Sequence, residues 1–178
     1  MNGQLHFSAL GEVQSALTGQ SIFLVADSVA YAASGAEAIL RPLLADRTVT
    51  VFDSFEPNPK LAEVEACAAA LRETNADTLL AVGGGTAMDV AKLANWLVTQ
   101  NAGKEEILRG VWESPQTPLP LIAVPTTAGT GSEATHFAVV YVDGHKHSVA
   151  HPLMRPSVAV VDGALSASSP PMLTAHSG

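Results

Sequence analysis

The sequence predicts an α/β fold, because short apolar runs alternate with segments of helix-forming composition. Five runs are almost entirely apolar, which is typical of strands buried on both faces of a parallel sheet: residues 22–26, 49–52, 78–82, 119–124 and 158–161. Residues 30–44 and 60–75 lie between them and have helix-forming composition. The alternation implies right-handed β–α–β units, so we predict a Rossmann-like parallel sheet flanked by helices.

One segment differs from this pattern. The β-branched residues of segments 137–142 and 148–150 flank Asp143 and Gly144, a dipeptide typical of hairpin turns. We therefore predict an extra β-hairpin outside the main sheet. The linkers are short, the richest in proline being residues 114–118, and none indicates an internal domain boundary.

Composition and charge exclude several classes of partner. The chain has 178 residues, of which 47% are hydrophobic, enough to form one core. A net charge of -8 with only nine Lys and Arg argues against nucleic acid or an anionic membrane as a partner. No apolar run approaches the roughly 20 residues that span a bilayer, and the start lacks an export signal, so we expect a cytoplasmic protein. The single Cys67 is predicted to pack on an apolar helix face.

The most informative segment is a triple glycine between a predicted strand and a predicted helix. Glycine lets Gly83, Gly84 and Gly85 turn sharply and approach a ligand, and the first N–H groups of a helix attract anions. Thr86 is predicted to be the N-cap, with Asp89 three residues later completing a capping box. We predict that these residues bind the pyrophosphate of a dinucleotide; the alternative is a tight turn without a ligand.

A second polar segment follows the predicted strand at 119–124. It contains Thr126, Thr127, Thr130 and Ser132, interspersed with glycine. Because the carboxyl ends of parallel strands meet at one edge of a sheet, both segments are expected to flank the same ligand. The alternative is a Thr–Gly surface loop.

Asp27 follows the first predicted strand, at the same expected edge. An acidic side chain there accepts hydrogen bonds from the adenosine ribose and repels a 2′-phosphate, which favours NAD over NADP. An Asp in this position is also a common helix cap.

Together, residues 83–86 with Asp89 and Lys92, followed by the run from Pro125 to Glu133, resemble the iron-containing (group III) alcohol dehydrogenases. The resemblance extends over essentially the whole chain, including residues 57–59, 158–162 and 169–178. It implies NAD(P)-dependent interconversion of a small alcohol and an aldehyde or ketone, assisted by iron (Fe2+) or, in some members, zinc (Zn2+).

The resemblance also implies that, in this family, one domain binds the dinucleotide and a second domain binds the metal. Family members continue beyond a segment similar to residues 174–178 into a Met-Asp-Ala-x-x-x-His helix and a helical domain that supply the metal ligands. Residues 1–178 therefore resemble the dinucleotide-binding domain, with residues 164–178 leading towards the helical domain and no catalytic or metal-binding residue among them. We expect these residues alone to bind NAD weakly and to show no turnover.

Two alternatives remain open at this point. One is a truncated, catalytically inactive dinucleotide-binding module. The other is a lyase resembling dehydroquinate synthase, which shares the cofactor-domain architecture but lacks the Pro-Thr-Thr-x-Gly-Thr-Gly-Ser-Glu run.

A group of histidines could in principle bind a metal ion. His145, His147 and His151 are close in sequence, with His136 nearby, but they fall on the predicted hairpin, so solvated or substrate-facing roles are favoured over a metal site. Residues 145–152 are somewhat similar to the corresponding part of phosphonoacetaldehyde reductases, which points to an anionic aldehyde; a purely structural hairpin is the alternative.

The end of the sequence predicts an exposed apolar face formed by Pro170, Pro171, Met172 and Leu173. Such a face favours self-association, for example as a homodimer.

Overall fold

A computed structural model describes residues 4–100, 104–109 and 117–177. The strands are β1 (Leu5–Phe7), β2 (Ser21–Ala26), β3 (Thr48–Phe52), β4 (Thr78–Gly83), β5 (Leu121–Pro125), β6 (Phe137–Val142), β7 (His145–Ala150) and β8 (Val158–Val160). The α-helices are α1 (Ser28–Ala33), α2 (Ala36–Leu43), α3 (Leu61–Arg72), α4 (Gly85–Gln100), α5 (Lys104–Arg109), α6 (Gly163–Ser166) and α7 (Pro171–Ser177), with 3-10 helices at Leu10–Ser15 and Pro152–Met154.

The main sheet is parallel and has the order β1-β8-β5-β4-β2-β3, which confirms the predicted fold class. Its three central strands are in close register at their carboxyl ends, where Val82 of β4 lies opposite Ala26 of β2 and Val124 of β5. The residues that follow these strands therefore emerge at one edge of the sheet, as expected of a parallel α/β sheet.

The sheet separates two apolar clusters, because successive residues of each strand point to opposite faces. Phe23 and Leu79 pack on one side with Trp96 of α4, whereas Leu24 and Leu80 pack on the other side. Cys67 is fully buried in the first cluster, as predicted, and burial raises the pKa of its thiol above the usual range. Its role is therefore packing.

Two details of the predicted elements were wrong. The segment 30–44 contains two helices, because Gly35 adopts a left-handed φ of 80° between α1 and α2. Strand β1 was not predicted, since it has three residues and Leu5 is 57% exposed, which leaves little apolar pattern to detect. It joins the sheet by pairing with β8, about 150 residues later in the chain.

The predicted hairpin is confirmed as β6 and β7, which pair antiparallel outside the main sheet. Its turn residues Asp143 and Gly144 have φ values of 51° and 78°, as a two-residue hairpin turn requires. Strand β7 begins at His145, three residues earlier than the predicted segment. The buried face of the hairpin, including Ala138 and Val140, joins the cluster that contains α3 and α4.

The predicted exposed face is confirmed for Pro170, Pro171 and Met172, of which Met172 is 71% exposed; the side chain of Leu173 lies outside the described residues. The proline-rich linker 114–118 lies outside them except for its last two residues. None of the helices within the described ranges is long and apolar enough to cross a membrane.

Candidate dinucleotide site

Three strand ends converge at the carboxyl edge of the sheet. The backbone N–H of Asp27, after β2, donates to the carbonyl oxygen of Val82 at 3.1 Å. The N–H of Thr126, after β5, donates to the carbonyl oxygen of Gly83 at 2.9 Å. Three of the segments predicted from the sequence are therefore adjacent in the structure.

The triple glycine forms the turn between β4 and α4. Gly83 has a φ of 151°, and a Cβ atom there would lie only 2.8 Å from Cβ of Ala87, so a larger residue would be strained. Helix α4 begins at Gly85 and its first turn closes when the N–H of Met88 donates to Gly84 O. The earlier N–H groups of the helix have no preceding helical carbonyl to bond, and such groups at a helix N-terminus attract anions.

Thr86 is not the N-cap. It lies within the first turn of α4, one residue after the helix begins, so the predicted capping box with Asp89 was wrong. The residue that precedes the helix is Gly84, which has no side chain to serve as a cap.

The segment that runs from Thr126 to Ser132, here called the threonine loop, packs directly on the glycine turn. A Cβ atom added at Gly84 would lie 3.3 Å from Oγ1 of Thr127, and one added at Gly85 would lie 3.2 Å from Cγ2 of Thr130. The glycines therefore allow the two loops to approach each other closely.

Thr126 is placed differently from the other threonines, since it is only 3% exposed. Its carbonyl oxygen accepts a hydrogen bond from Oγ of Ser169 at 3.0 Å. Its own hydroxyl, Oγ1, is buried and has no hydrogen-bond partner among the residues that the structure describes. A buried hydroxyl is costly to leave unpaired, so this atom is a candidate partner for a polar ligand at the carboxyl end of β5.

Asp27 is the N-cap of α1, because its Oδ1 accepts a hydrogen bond from the N–H of Ala30 at 2.9 Å. A carboxylate accepts several hydrogen bonds, so this cap does not prevent Oδ2 from binding a ribose hydroxyl. The cap is a feature of the structure, and the ribose contact stays a prediction.

Asp89 and Ser132 belong to one hydrogen-bonded cluster with Lys92. Ser132 Oγ donates to Asp89 Oδ1 at 2.9 Å, and Lys92 Nζ donates to Ser132 Oγ at 3.0 Å. Burial raises the pKa of Asp89, although hydrogen bonds from Val139 and Ser132 and the charges of Lys92 and Lys146 oppose that shift. Burial also lowers the pKa of Lys92 to about 8, opposed by the Asp89 and Glu133 carboxylates.

The sequence did not predict that Lys92 would be buried and hydrogen bonded at the site. There the residue was only one of those that carry the family resemblance. The sequence did contain one signal: Lys92 lies between two apolar residues, Ala91 and Leu93. Both of these neighbours are fully buried in α4. A buried lysine requires partners, and such partners are visible only in the tertiary structure.

The histidines do not form a metal centre in the described part of the chain. Within those ranges, no group of three or more His, Cys, Asp or Glu side chains could hold a metal ion. His151 packs on Trp96 with ring centroids 4.2 Å apart and the ring planes tilted by 33°, and its Nδ1 accepts a hydrogen bond from the N–H of Leu153. His145 is exposed and its Nδ1 lies 3.0 Å from the carbonyl oxygen of Asp143.

A separate open groove of about 610 Å³ lies between the start of α3 and the hairpin turn. None of the residues predicted to bind the cofactor lines it. The candidate site is therefore defined by the converging loops and not by this groove.

Comparison with known proteins identifies the family. The model of the iron-containing alcohol dehydrogenases matches residues 1–163. The chain belongs to this family. Among curated relatives, the probable alcohol dehydrogenase EutG of Salmonella typhimurium is 37% identical over 175 residues, which are 96% of this chain and 44% of that protein. The chain thus spans less than half the length of this relative.

Solved structures agree with the fold. The sulfoacetaldehyde reductase of Bifidobacterium kashiwanohense, solved in complex with NAD+, has a TM-score of 0.88 and 33% identity over 99% of this chain and 49% of that one. The NADH-dependent butanol dehydrogenase A of Thermotoga maritima has a TM-score of 0.90 over 99% of this chain and 47% of that one. Because its sequence is only 18% identical, it supports the fold alone.

Proposed function

We propose that this chain is the NAD-binding part of a metal-dependent dehydrogenase that interconverts an alcohol and an aldehyde or ketone. The observation that carries the proposal is the contact between the glycine turn and the threonine loop, together with the buried, unpartnered hydroxyl of Thr126 among the described residues. Family membership and the NAD complex of the Bifidobacterium enzyme support it.

Each predicted residue has a defined task in this proposal. The backbone N–H groups of Gly84, Gly85 and Thr86 at the start of α4 bind the pyrophosphate, since they carry the positive end of the helix dipole. Oδ2 of Asp27 accepts a ribose hydroxyl and repels a 2′-phosphate, so NAD is preferred over NADP.

The opposite side of the site is formed by the threonine loop. We assign Thr126, Thr127 and Thr130 to polar contacts with the dinucleotide, and Asp89 and Ser132 to the same site through the cluster that they form. The nicotinamide, when bound, donates or accepts a hydride. The chain's own residues bind and orient it.

The described residues fit a dinucleotide but do not by themselves fit a metal ion, since they contain no suitable group of ligands. The metal, whether iron or zinc, therefore enters the proposal only for the complete protein. The same holds for the substrate, because the chain covers only part of its relatives.

Calorimetric titration with NADH and NADPH tests the proposal. We expect NADH to bind measurably and more tightly than NADPH, because the carboxylate of Asp27 repels the additional phosphate. A sample shown to be folded by circular dichroism that releases no heat with either nucleotide would contradict the assignment. Equal affinity for the two would contradict only the role of Asp27.

For the substrate, one observation favours an anionic aldehyde. Strand β7 carries His145, Lys146 and His147, and the charge of Lys146 acts on Asp89 at the candidate site. A similar structure is that of a sulfoacetaldehyde reductase. Comparing kcat/KM for sulfoacetaldehyde and acetaldehyde in the complete protein, before and after Lys146→Met, distinguishes this class: the anionic preference should fall in the variant.

A further inference from the structure

Lys92 is a cation buried beneath the threonine loop. It lies in α4 and is only 1% exposed. Its Nζ donates three hydrogen bonds, to Ser132 Oγ at 3.0 Å, to Thr135 Oγ1 at 3.2 Å and to the carbonyl oxygen of Phe137 at 3.0 Å. An ammonium group has three N–H donors, so all three have acceptors, and all three acceptors lie on the segment after β5.

Asp89, one turn earlier in α4, completes the arrangement. Its Oδ1 accepts the hydrogen bond of the Ser132 hydroxyl, and its Oδ2 accepts the N–H of Val139 at 3.0 Å. Because a hydroxyl has a single hydrogen, Ser132 donates to Asp89 and accepts from Lys92. Helix α4 therefore holds the end of the threonine loop and the first strand of the hairpin with a pair of opposite charges.

The threonine loop needs such an anchor, because it has little regular structure of its own. Gly129 and Gly131 have left-handed φ values of 95° and 63°, and the loop is followed by the hairpin instead of a helix. Its start is bonded to Gly83 through the backbone of Thr126. Its end is bonded to α4 through Ser132, and Gln4 Nε2 also bonds the carbonyl oxygen of Glu133 at 2.5 Å.

We propose that Lys92 is a positioning residue of the dinucleotide site: its buried ammonium fixes the threonine loop against Gly84 and Gly85, without touching the dinucleotide itself. This inference rests on the proposed function, because the position of the threonine loop matters for binding only if a dinucleotide binds where the two loops meet. A role in core stability alone would change the free energy of unfolding but leave the affinity of the folded molecules unchanged.

Lys104 offers a matched control. It also joins a helix to the hairpin, since its Nζ lies 2.7 Å from Asp143 Oδ2, but its side chain is 47% exposed. We expect Lys92→Met to weaken NADH binding about tenfold or more in the folded fraction, whereas Lys104→Met should change it less than twofold.

Thr135→Val provides a milder variant, should Lys92→Met fail to fold. It removes one acceptor of Lys92 with little change in shape, and Thr135 has no proposed contact with the dinucleotide. We expect a loss of affinity of a few-fold. Unchanged affinity in the folded variants, with normal binding by the wild type, would overturn the proposal; absence of binding by the wild type would instead overturn the proposed function.

Hydrogen exchange in the absence of nucleotide gives an independent readout. Lys92→Met and Thr135→Val should accelerate exchange of amides in residues 126–139, because the loop and β6 lose their anchor. Lys104→Met should leave these amides unchanged. If exchange in this segment does not increase in the Lys92 and Thr135 variants, the loop is held by other contacts and the inference is wrong.

Discussion

The two loops that form the candidate site are held in place in different ways. The glycine turn is fixed by its own backbone: Gly83 ends β4, and α4 begins two residues later. The threonine loop is held by side chains of another element, because Ser132 bonds to Lys92 and Asp89, which are 40 and 43 positions away. Both loops lie at the same edge of the sheet. Local backbone geometry holds the glycine turn there, whereas buried charges hold the threonine loop.

This difference has a consequence for how each loop tolerates substitution. The glycine turn depends on the absence of side chains, so any added atom disturbs it directly. The threonine loop depends on a polar cluster in the core, where the cost of losing one partner is the cost of leaving another charge unpaired.

The largest effect is expected from Gly84→Val. Its Cβ would lie 3.3 Å from Thr127 Oγ1, and the two methyl groups of valine would add further bulk beside the N–H groups proposed to bind the pyrophosphate. We expect NADH binding to be abolished while the protein remains folded. Calorimetry and thermal denaturation measure the two properties.

Gly11→Val is the control, because a Cβ atom at Gly11 would meet no atom within 4 Å. It should bind NADH like the wild type. Retained binding by Gly84→Val would mean that the pyrophosphate does not bind at the glycine turn.

A smaller effect is expected in the pH dependence of stability, which tests whether the anchor of the threonine loop is charged. Burial lowers the pKa of Lys92 to about 8, from an ordinary value of 10.5. Between these values the unfolded chain binds more protons than the folded one, so the free energy of unfolding rises with pH. Across this range the gain in the free energy of unfolding that Lys92 contributes is about 3 kcal/mol.

Urea denaturation between pH 7 and 10.5 measures this contribution as the difference between the wild type and Lys92→Met. The subtraction removes the titration of the other groups. A difference that stays constant with pH would show that the acceptors around Nζ keep Lys92 charged throughout, in which case the anchor is an ion pair at every pH tested.

The smallest effect on nucleotide binding is expected from Asp27→Gly. Asp27 lies beside the glycine turn, because its N–H bonds to the carbonyl oxygen of Val82. We expect the preference for NADH over NADPH to narrow several-fold, because the carboxylate that repels the 2′-phosphate is removed. Glycine is itself tolerated as an N-cap, so α1 should lose only a few tenths of a kcal/mol. Titrations with both nucleotides give the ratio.

Asp162→Gly is the matched control for this change. Asp162 also follows a parallel strand and caps a helix, through a hydrogen bond from the N–H of Ala164 to its Oδ1. Its removal should leave the nucleotide preference unchanged. A preference that is equally altered in both variants would indicate a general loss of structure and not a ribose contact.

Much of the fold followed from local patterns. The apolar runs predicted five strands of the main sheet. Burial on both faces is confirmed for β2, β4, β5 and β8 but was wrong for β3, an edge strand in which Val51 is 56% exposed. The hairpin turn at Asp143 and Gly144 was predicted because few other dipeptides adopt left-handed φ at both positions. Strand β1 and the break at Gly35 escaped prediction, since the former depends on pairing with β8 and the latter on the packing of two short helices.

The sequence predicted the meeting of the glycine turn and the threonine loop, but it did not predict the hydrogen bonds of Asp89. The sequence indicated Gly83 and Thr126 at one edge, and their backbones are hydrogen bonded. It indicated Asp89 as a helix cap, whereas the carboxylate bonds to Ser132 and to the backbone of Val139. A capping pattern is defined within four residues, whereas the partners of this carboxylate are 43 and 50 positions away in the sequence.

The sequence by itself determined the parallel sheet, the glycine turn at the carboxyl end of β4 and the family to which the chain is similar, because each depends on residues that are neighbours in the chain. Only the tertiary structure decided what Lys92 does and how the threonine loop is held. A charge that is removed from water costs much free energy unless other groups pair with it and bond to it. Whether Lys92 would be buried, and which oxygens would surround its ammonium group, was set by the packing of the hairpin against α4.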